Sequence, residues 1–213
     1  MSLARTERTQ LCDLFDQVGP DAPTLCGGWT TADLAAHLWV RETDPLAAPG
    51  LVAKPLQSLT EKRMTSAKEK LGFEELVARL RKGPTTFSVF ALPGLDAAAN
   101  GIEYFVHHED VRRAQATPAS ARELSYADQD EMWKRLGLMG RAMFRKVEVP
   151  VRAERTDVPG DPIVLKPGDP AVVMRGTPAE LTLFAFGRSG VADVELVGDQ
   201  ASVELLRTAD LGI

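Results

Sequence analysis

Histidine and cysteine are scarce in this sequence. Its 213 residues include only three histidines and two cysteines. Two thiols, Cys12 and Cys26, are too few for a disulfide framework or a cysteine-rich zinc site. Basic charge is short as well. Lys plus Arg number 25 against 30 for Asp plus Glu, a formal charge of -5, so the footprint of a nucleic-acid binder is missing. No apolar run approaches the ~20 residues that span a bilayer. The first ten residues, MSLARTERTQ, hold no apolar stretch of the signal-peptide kind. These absences lead us to expect a reduced, cytoplasmic protein that partners neither nucleic acid nor membrane. With 44% hydrophobic and 26% charged residues, the chain has the composition of an ordinary folded protein.

The hydrophobic pattern changes character along the chain. Leu11, Leu14, Phe15 and Val18 recur at helical spacing in a first helix over 3–18, which the turn at 19–23 ends. A second helix starts near Thr30, where Thr30 and Asp33 can form a capping box, and runs to about Glu42. Asp44-Pro45 and Ala48-Pro49-Gly50 should stop it. Residues 59–82 read as a helix broken at Gly72. Gly83-Pro84 and Pro93-Gly94 mark a loop, followed by a helix over about 97–116. Another helix begins at Ser125 and runs to about Arg145. Beyond it Val147, Val149 and Val151 alternate as in a strand. Further strands are expected at 163–166, 171–175 and 191–197. A helix starts at Thr177-Pro178 and is capped by Gly187, and a last helix covers 199–208. The expected fold class is α+β, with a helical bundle over 1–145 and a small α/β domain over 146–213.

One helical segment carries most of the chemistry. Asn100, Glu103, His107 and Asp110 are spaced three, four and three apart, which puts them on one helical face. Ile102, Phe105 and Val106 supply an apolar stripe beside them, so the polar row borders the bundle interior. Buried polar groups need partners, and a metal ion is one. Glu103 and His107 are ~6 Å apart along the axis at ~1.5 Å per residue, close enough to converge on one ion. His37, on a different helix, is the natural third ligand. Two histidines and a carboxylate suit zinc and leave a position for water or substrate, as in catalytic sites. Nickel and iron(II) accept the same set. A hydrogen-bonded Glu103–His107 pair with no ion fits the spacing equally. His108 is rotated about 100° away from His107 and suits a structural or supporting role. Asp33 and Asp110 can each either cap or orient an imidazole.

The segments around these residues resemble a known family. Cys26-Gly27-Gly28-Trp29-Thr30-Thr31-Ala32-Asp33-Leu34-Ala35-Ala36-His37-Leu38 is similar to the N-terminal signature of mycothiol-dependent maleylpyruvate isomerases, within the DinB-like superfamily. Glu103-Tyr104-Phe105-Val106-His107-His108-Glu109-Asp110-Val111-Arg112 resembles that family's second signature. The resemblance covers about residues 5–145. It implies a DinB-like four-helix bundle with a divalent metal held by His37, Glu103 and His107. Arg175 through Arg188 resembles the family's small α/β tail, which has sterol-carrier-like architecture. There the resemblance implies a catalytic arginine, carried here by Arg188. A basic residue just past a helix C-terminus also suits the helix dipole with no further role.

The family's chemistry implies a zinc-dependent S-transferase or isomerase that acts on a small electrophilic substrate. A low-molecular-weight thiol, mycothiol, would be the cosubstrate. Three other readings stay open: a non-catalytic protein that uses the ion as a core staple, a metal-hydroxide hydrolase with Glu109 or Asp110 as base, and an apolar-ligand carrier. Neither cysteine is expected to be a ligand, and Cys26 is expected to pack beside Trp29.

Overall fold

A computed structural model describes residues 2–44, 57–84, 95–117 and 119–211. The fold is α+β, a helical region followed by a four-stranded mixed sheet with helices. Packing divides the chain into two compact units, Met1–Ala119 and Ser120–Ile213.

The first unit contains α1 (Leu3–Val18), α2 (Thr31–Thr43), α3 (Gln57–Lys82) and α4 (Leu95–Arg113). α1 packs on α3 and α4, and α2 packs on α3. Leu11 and Phe15 of α1, Leu34 and Leu38 of α2, and Leu76 and Leu80 of α3 are buried in its core. The start of α2 forms the expected capping box. The Thr30 side chain accepts from the Asp33 backbone N–H, and the Asp33 carboxylate accepts from the Thr30 N–H. α3 breaks at Gly72, whose φ of 73° lies in the left-handed region that glycine enters at little cost. Ile102, Phe105 and Val106 are buried, as the stripe on α4 requires. The stop signals at Pro45 and Ala48-Pro49-Gly50, and the Pro93-Gly94 turn, lie outside the described residues.

The second unit begins with α5 (Tyr126–Met143), capped by Ser125 and followed by a 3-10 turn at Phe144–Lys146. Strands β1 (Val151–Arg155), β2 (Ile163–Lys166), β3 (Val172–Gly176) and β4 (Glu195–Val197) lie in the order β2-β1-β3-β4. β1 pairs parallel with β3, and the outer pairs are antiparallel. α6 (Pro178–Ala185) and α7 (Gln200–Arg207) complete the unit. α5 packs on β2 and α6. This helix therefore belongs to the compact unit that starts at Ser120, although its helical pattern had grouped it with the bundle up to 145.

Two strands are shorter than the alternation suggests. Val147 and Val149 are buried like strand residues, but β1 starts only at Val151. Pro150 has no N–H to give the ladder, and only its carbonyl takes part, accepting from Val172. Residues 191–194 are likewise not strand. The N–H groups of Val191 and Ala192 both bond back to the Arg188 carbonyl, and that of Val194 to Ala192. α6 ends as expected at Gly187, with φ 83°. Gly187 N–H bonds the Phe184 carbonyl and Arg188 N–H the Leu183 carbonyl, the paired bonds of a Schellman motif. Among the described residues, no helix is long and apolar enough to cross a membrane.

Candidate metal centre

α2 and α4 bring His37, Glu103 and His107 together. The Nε2 atoms of His37 and His107 each lie 3.4 Å from the same oxygen, Glu103 Oε1. One ligand atom from each residue can be chosen so that all lie within 4.8 Å of one another. The imidazoles meet edge to face at 5.1 Å between centroids, and the Trp29 ring lies 5.1 Å from that of His37. The histidine side chains are about nine-tenths buried, while that of Glu103 keeps 22% exposure and opens the cluster to solvent.

The remaining residues of the α4 row have separate duties. Asp110 Oδ2 lies 2.9 Å from His107 Nδ1, so a fully buried carboxylate orients the ring and turns Nε2 toward Glu103. Leu25 N–H donates to the Asp110 carbonyl, which ties the loop before α2 to α4. Asn100 is buried and bonds Arg41 and Glu42. His108 faces elsewhere: its Nδ1 is 2.8 Å from Glu7 Oε2. Glu109 is engaged by Arg112 and Arg113.

Cys26 occupies a place that the sequence did not indicate. Its side chain packs at the edge of the first core, yet Sγ also lies 3.1 Å from Asp110 Oδ2 and 3.8 Å from His107 Nδ1. Cys26, His107 and Asp110 thus form a second group of donor atoms that could hold an ion. The two groups share His107 through opposite ring nitrogens. Both cysteines are free thiols.

Burial and mutual contacts shift the three residues in different directions. Burial pulls His37 below its ordinary value, and the nearby His107 charge adds to this, against an opposing hydrogen bond with Glu103. Burial would raise Glu103, but hydrogen bonds with His107 and His37 and the charges of His107 and Arg41 hold it well below the usual carboxylate range. Burial would lower His107, yet its bonds to Asp110, Cys26 and Glu103 push it well up. His37 is thus a ready neutral donor. His107 carries a proton that an ion would replace at Nε2, leaving Nδ1–H on Asp110.

The donor types and their spacing are compatible with a bound metal ion. Zinc takes imidazole and carboxylate ligands at ~2.0–2.2 Å, which places tetrahedral ligands ~3.4 Å apart. Both imidazole-to-carboxylate distances have that value, which suits ligands that share an ion as well as long hydrogen bonds in its absence. Among the described residues, His37 Nδ1 is buried with no hydrogen-bond partner.

Arg188 lies in the second unit. Its N–H closes the end of α6 and its Nη1 donates to the Phe186 carbonyl. That unit also contains a cavity of about 670 Å³, bounded by Arg122, Tyr126, Asp157, Arg175, Glu180 and Asp193 among others. Seven of its fourteen lining residues are charged, unlike the apolar tunnel that a lipid carrier needs. Comparisons with protein-family models, with curated proteins and with solved structures returned no match.

Proposed function

We propose that His37, Glu103 and His107 hold a divalent metal ion, zinc by preference, and that the protein is a thiol-dependent transferase or isomerase. The observation that carries the metal reading is the meeting of two imidazole Nε2 atoms at 3.4 Å on a single carboxylate oxygen. The second donor group supports this reading in a subordinate role. With Nε2 of His107 directed at Glu103, its Nδ1 is left to Asp110, and a carboxylate behind a ligand histidine fixes the ring and strengthens the donor.

The catalytic reading draws on the resemblance of 26–38 and 103–112 to the mycothiol-dependent isomerases and their DinB-like relatives. A bound cation would supply Lewis acidity and lower the pKa of a coordinating thiol. Three protein ligands, one of them partly exposed, leave room for such a thiol, with mycothiol as the proposed cosubstrate. His107 and Asp110 keep the donor set rigid, and Trp29 covers the His37 ring. Arg188 is proposed as the cation that offsets negative charge developing on the electrophile. By the same resemblance, the second unit is proposed to be sterol-carrier-like in architecture.

Metal analysis of the purified protein tests the first step. Near-stoichiometric zinc is expected, and its absence after zinc reconstitution would overturn the reading. Turnover of small electrophiles with and without mycothiol tests the second. Arg188→Ala should lower that turnover far more than it lowers metal content. Zinc binding with no thiol-dependent turnover would leave the non-catalytic reading in its place.

A further inference from the structure

Glu103 Oε1 is approached by a third nitrogen besides the two imidazoles. Arg41 Nε lies 3.3 Å from it. Arg41 follows His37 by four residues on α2, so one helix face presents both. The same guanidinium donates through Nη1 to Asn100 Oδ1, and Asn100 precedes Glu103 by three residues on α4. Asn100 is itself fixed: it is fully buried, and its Nδ2 donates to Glu42 Oε1 at 3.0 Å. That oxygen also accepts from Tyr104 Oη at 3.0 Å and from Arg8.

The three cluster residues differ in what holds them. His107 has Asp110 behind it, and His37 is nine-tenths buried against Trp29. Glu103 has one more rotatable side-chain bond than either histidine and is the most exposed of the three, so its rotamer is the least constrained by packing. We propose that Arg41 is a positioning residue, holding the Glu103 carboxylate where Oε1 meets both imidazoles, and that the buried Asn100–Glu42 pair fixes Arg41 in turn. This inference rests on the metal reading above. The planar guanidinium fork reaches Glu103 and Asn100 at once, which a lysine ammonium with the same charge does not do at a fixed angle.

A cation beside a ligand carboxylate also repels a divalent ion, so position and charge act with opposite signs on metal affinity. Zinc titrations against a chromophoric chelator separate them, using the full chain, Arg41→Lys, Arg41→Gln and Asn100→Ala. If Arg41 positions Glu103, Arg41→Lys and Arg41→Gln both weaken zinc binding, by about 10–100-fold. The metal-free Arg41 variants should melt within a few degrees of the unaltered protein, which a purely structural role would not allow. Adding Asn100→Ala to Arg41→Lys should weaken zinc no further, since the relay is already cut. If Asn100→Ala fails to fold, the two Arg41 variants decide alone. Wild-type affinity in Arg41→Lys, or tighter zinc in Arg41→Gln, would show that Arg41 is only a counter-charge and overturn the proposal. Failure of the unaltered protein to take up zinc would overturn the metal reading and this inference together.

Discussion

His107 is held from behind by Asp110. Its Nδ1 stands 2.9 Å from Asp110 Oδ2, while Nε2 on the far side of the ring stands 3.4 Å from Glu103 Oε1. Asp110→Asn keeps the volume but removes the charge that stabilises Nδ1–H. We expect zinc affinity to fall by about 10–100-fold in this variant. Competition with a chelator measures it, and unchanged affinity would deny Asp110 any role behind the ligand.

The adjacent histidines should separate cleanly. His107→Ala should abolish bound zinc while the far-ultraviolet helical signal persists. His108 Nδ1 pairs with buried Glu7, so His108→Ala should retain zinc and instead cost about 1–3 kcal/mol of stability. Metal analysis and denaturant unfolding of both variants check this. Zinc kept in His107→Ala and lost in His108→Ala would move the ligand role to His108.

Local features were the legible ones. The capping box at Thr30, the break at Gly72 and the cap at Gly187 are dictated by a few adjacent residues, and each occurs where the sequence places it. The meeting of His37 with Glu103 and His107 followed from helical spacing together with the scarcity of histidine. Long-range partners were not legible. Nothing local ties Cys26 to Asp110, 84 residues away, or Arg41 to Asn100, 59 residues away. The placement of α5 was also hidden, because helical periodicity shows a buried face without showing what buries it.

The thiols should differ in reactivity. Cys12 is fully buried, and burial pushes its thiol up to about 12. Its thiolate is therefore negligible at neutral pH. Cys26 is half-buried at the edge of the core. Iodoacetamide at pH 8 should modify the folded protein once, at Cys26, and modify Cys12 only after denaturant is added. Peptide mapping that finds Cys12 alkylated first would contradict the packing of α1.

Gly140 marks a close approach of α5 to β2. A Cβ there would run into the side chain of Leu165, which is itself buried. Gly140→Ala gains about 1 kcal/mol in helix propensity but overpacks the contact by about 1–3 kcal/mol. A net loss of stability is expected in urea unfolding. A gain would mean that Leu165 moves aside freely and that the contact is not tight.

Asp33 links the start of the His37 helix to pH. Its carboxylate accepts from the Thr30 N–H at 3.0 Å and from the Lys68 ammonium. Burial would raise its pKa, but the bonds from Lys68 and Thr30 outweigh this and hold it below the ordinary 3.8. A depressed carboxylate binds its proton less readily in the folded state than in the unfolded one. Its stabilisation is therefore fully present above that ordinary value and is lost as pH falls through the lower folded one. The cap and the half-exposed ion pair together should contribute about 1 kcal/mol. Asp33→Asn should then lower unfolding stability by roughly that amount at pH 6. Near pH 3 and below, where wild-type Asp33 is increasingly protonated, the two proteins should converge. An Asp33→Asn deficit that stays constant from pH 6 to pH 2.5 would mean that the side chain acts through packing and not through its charge.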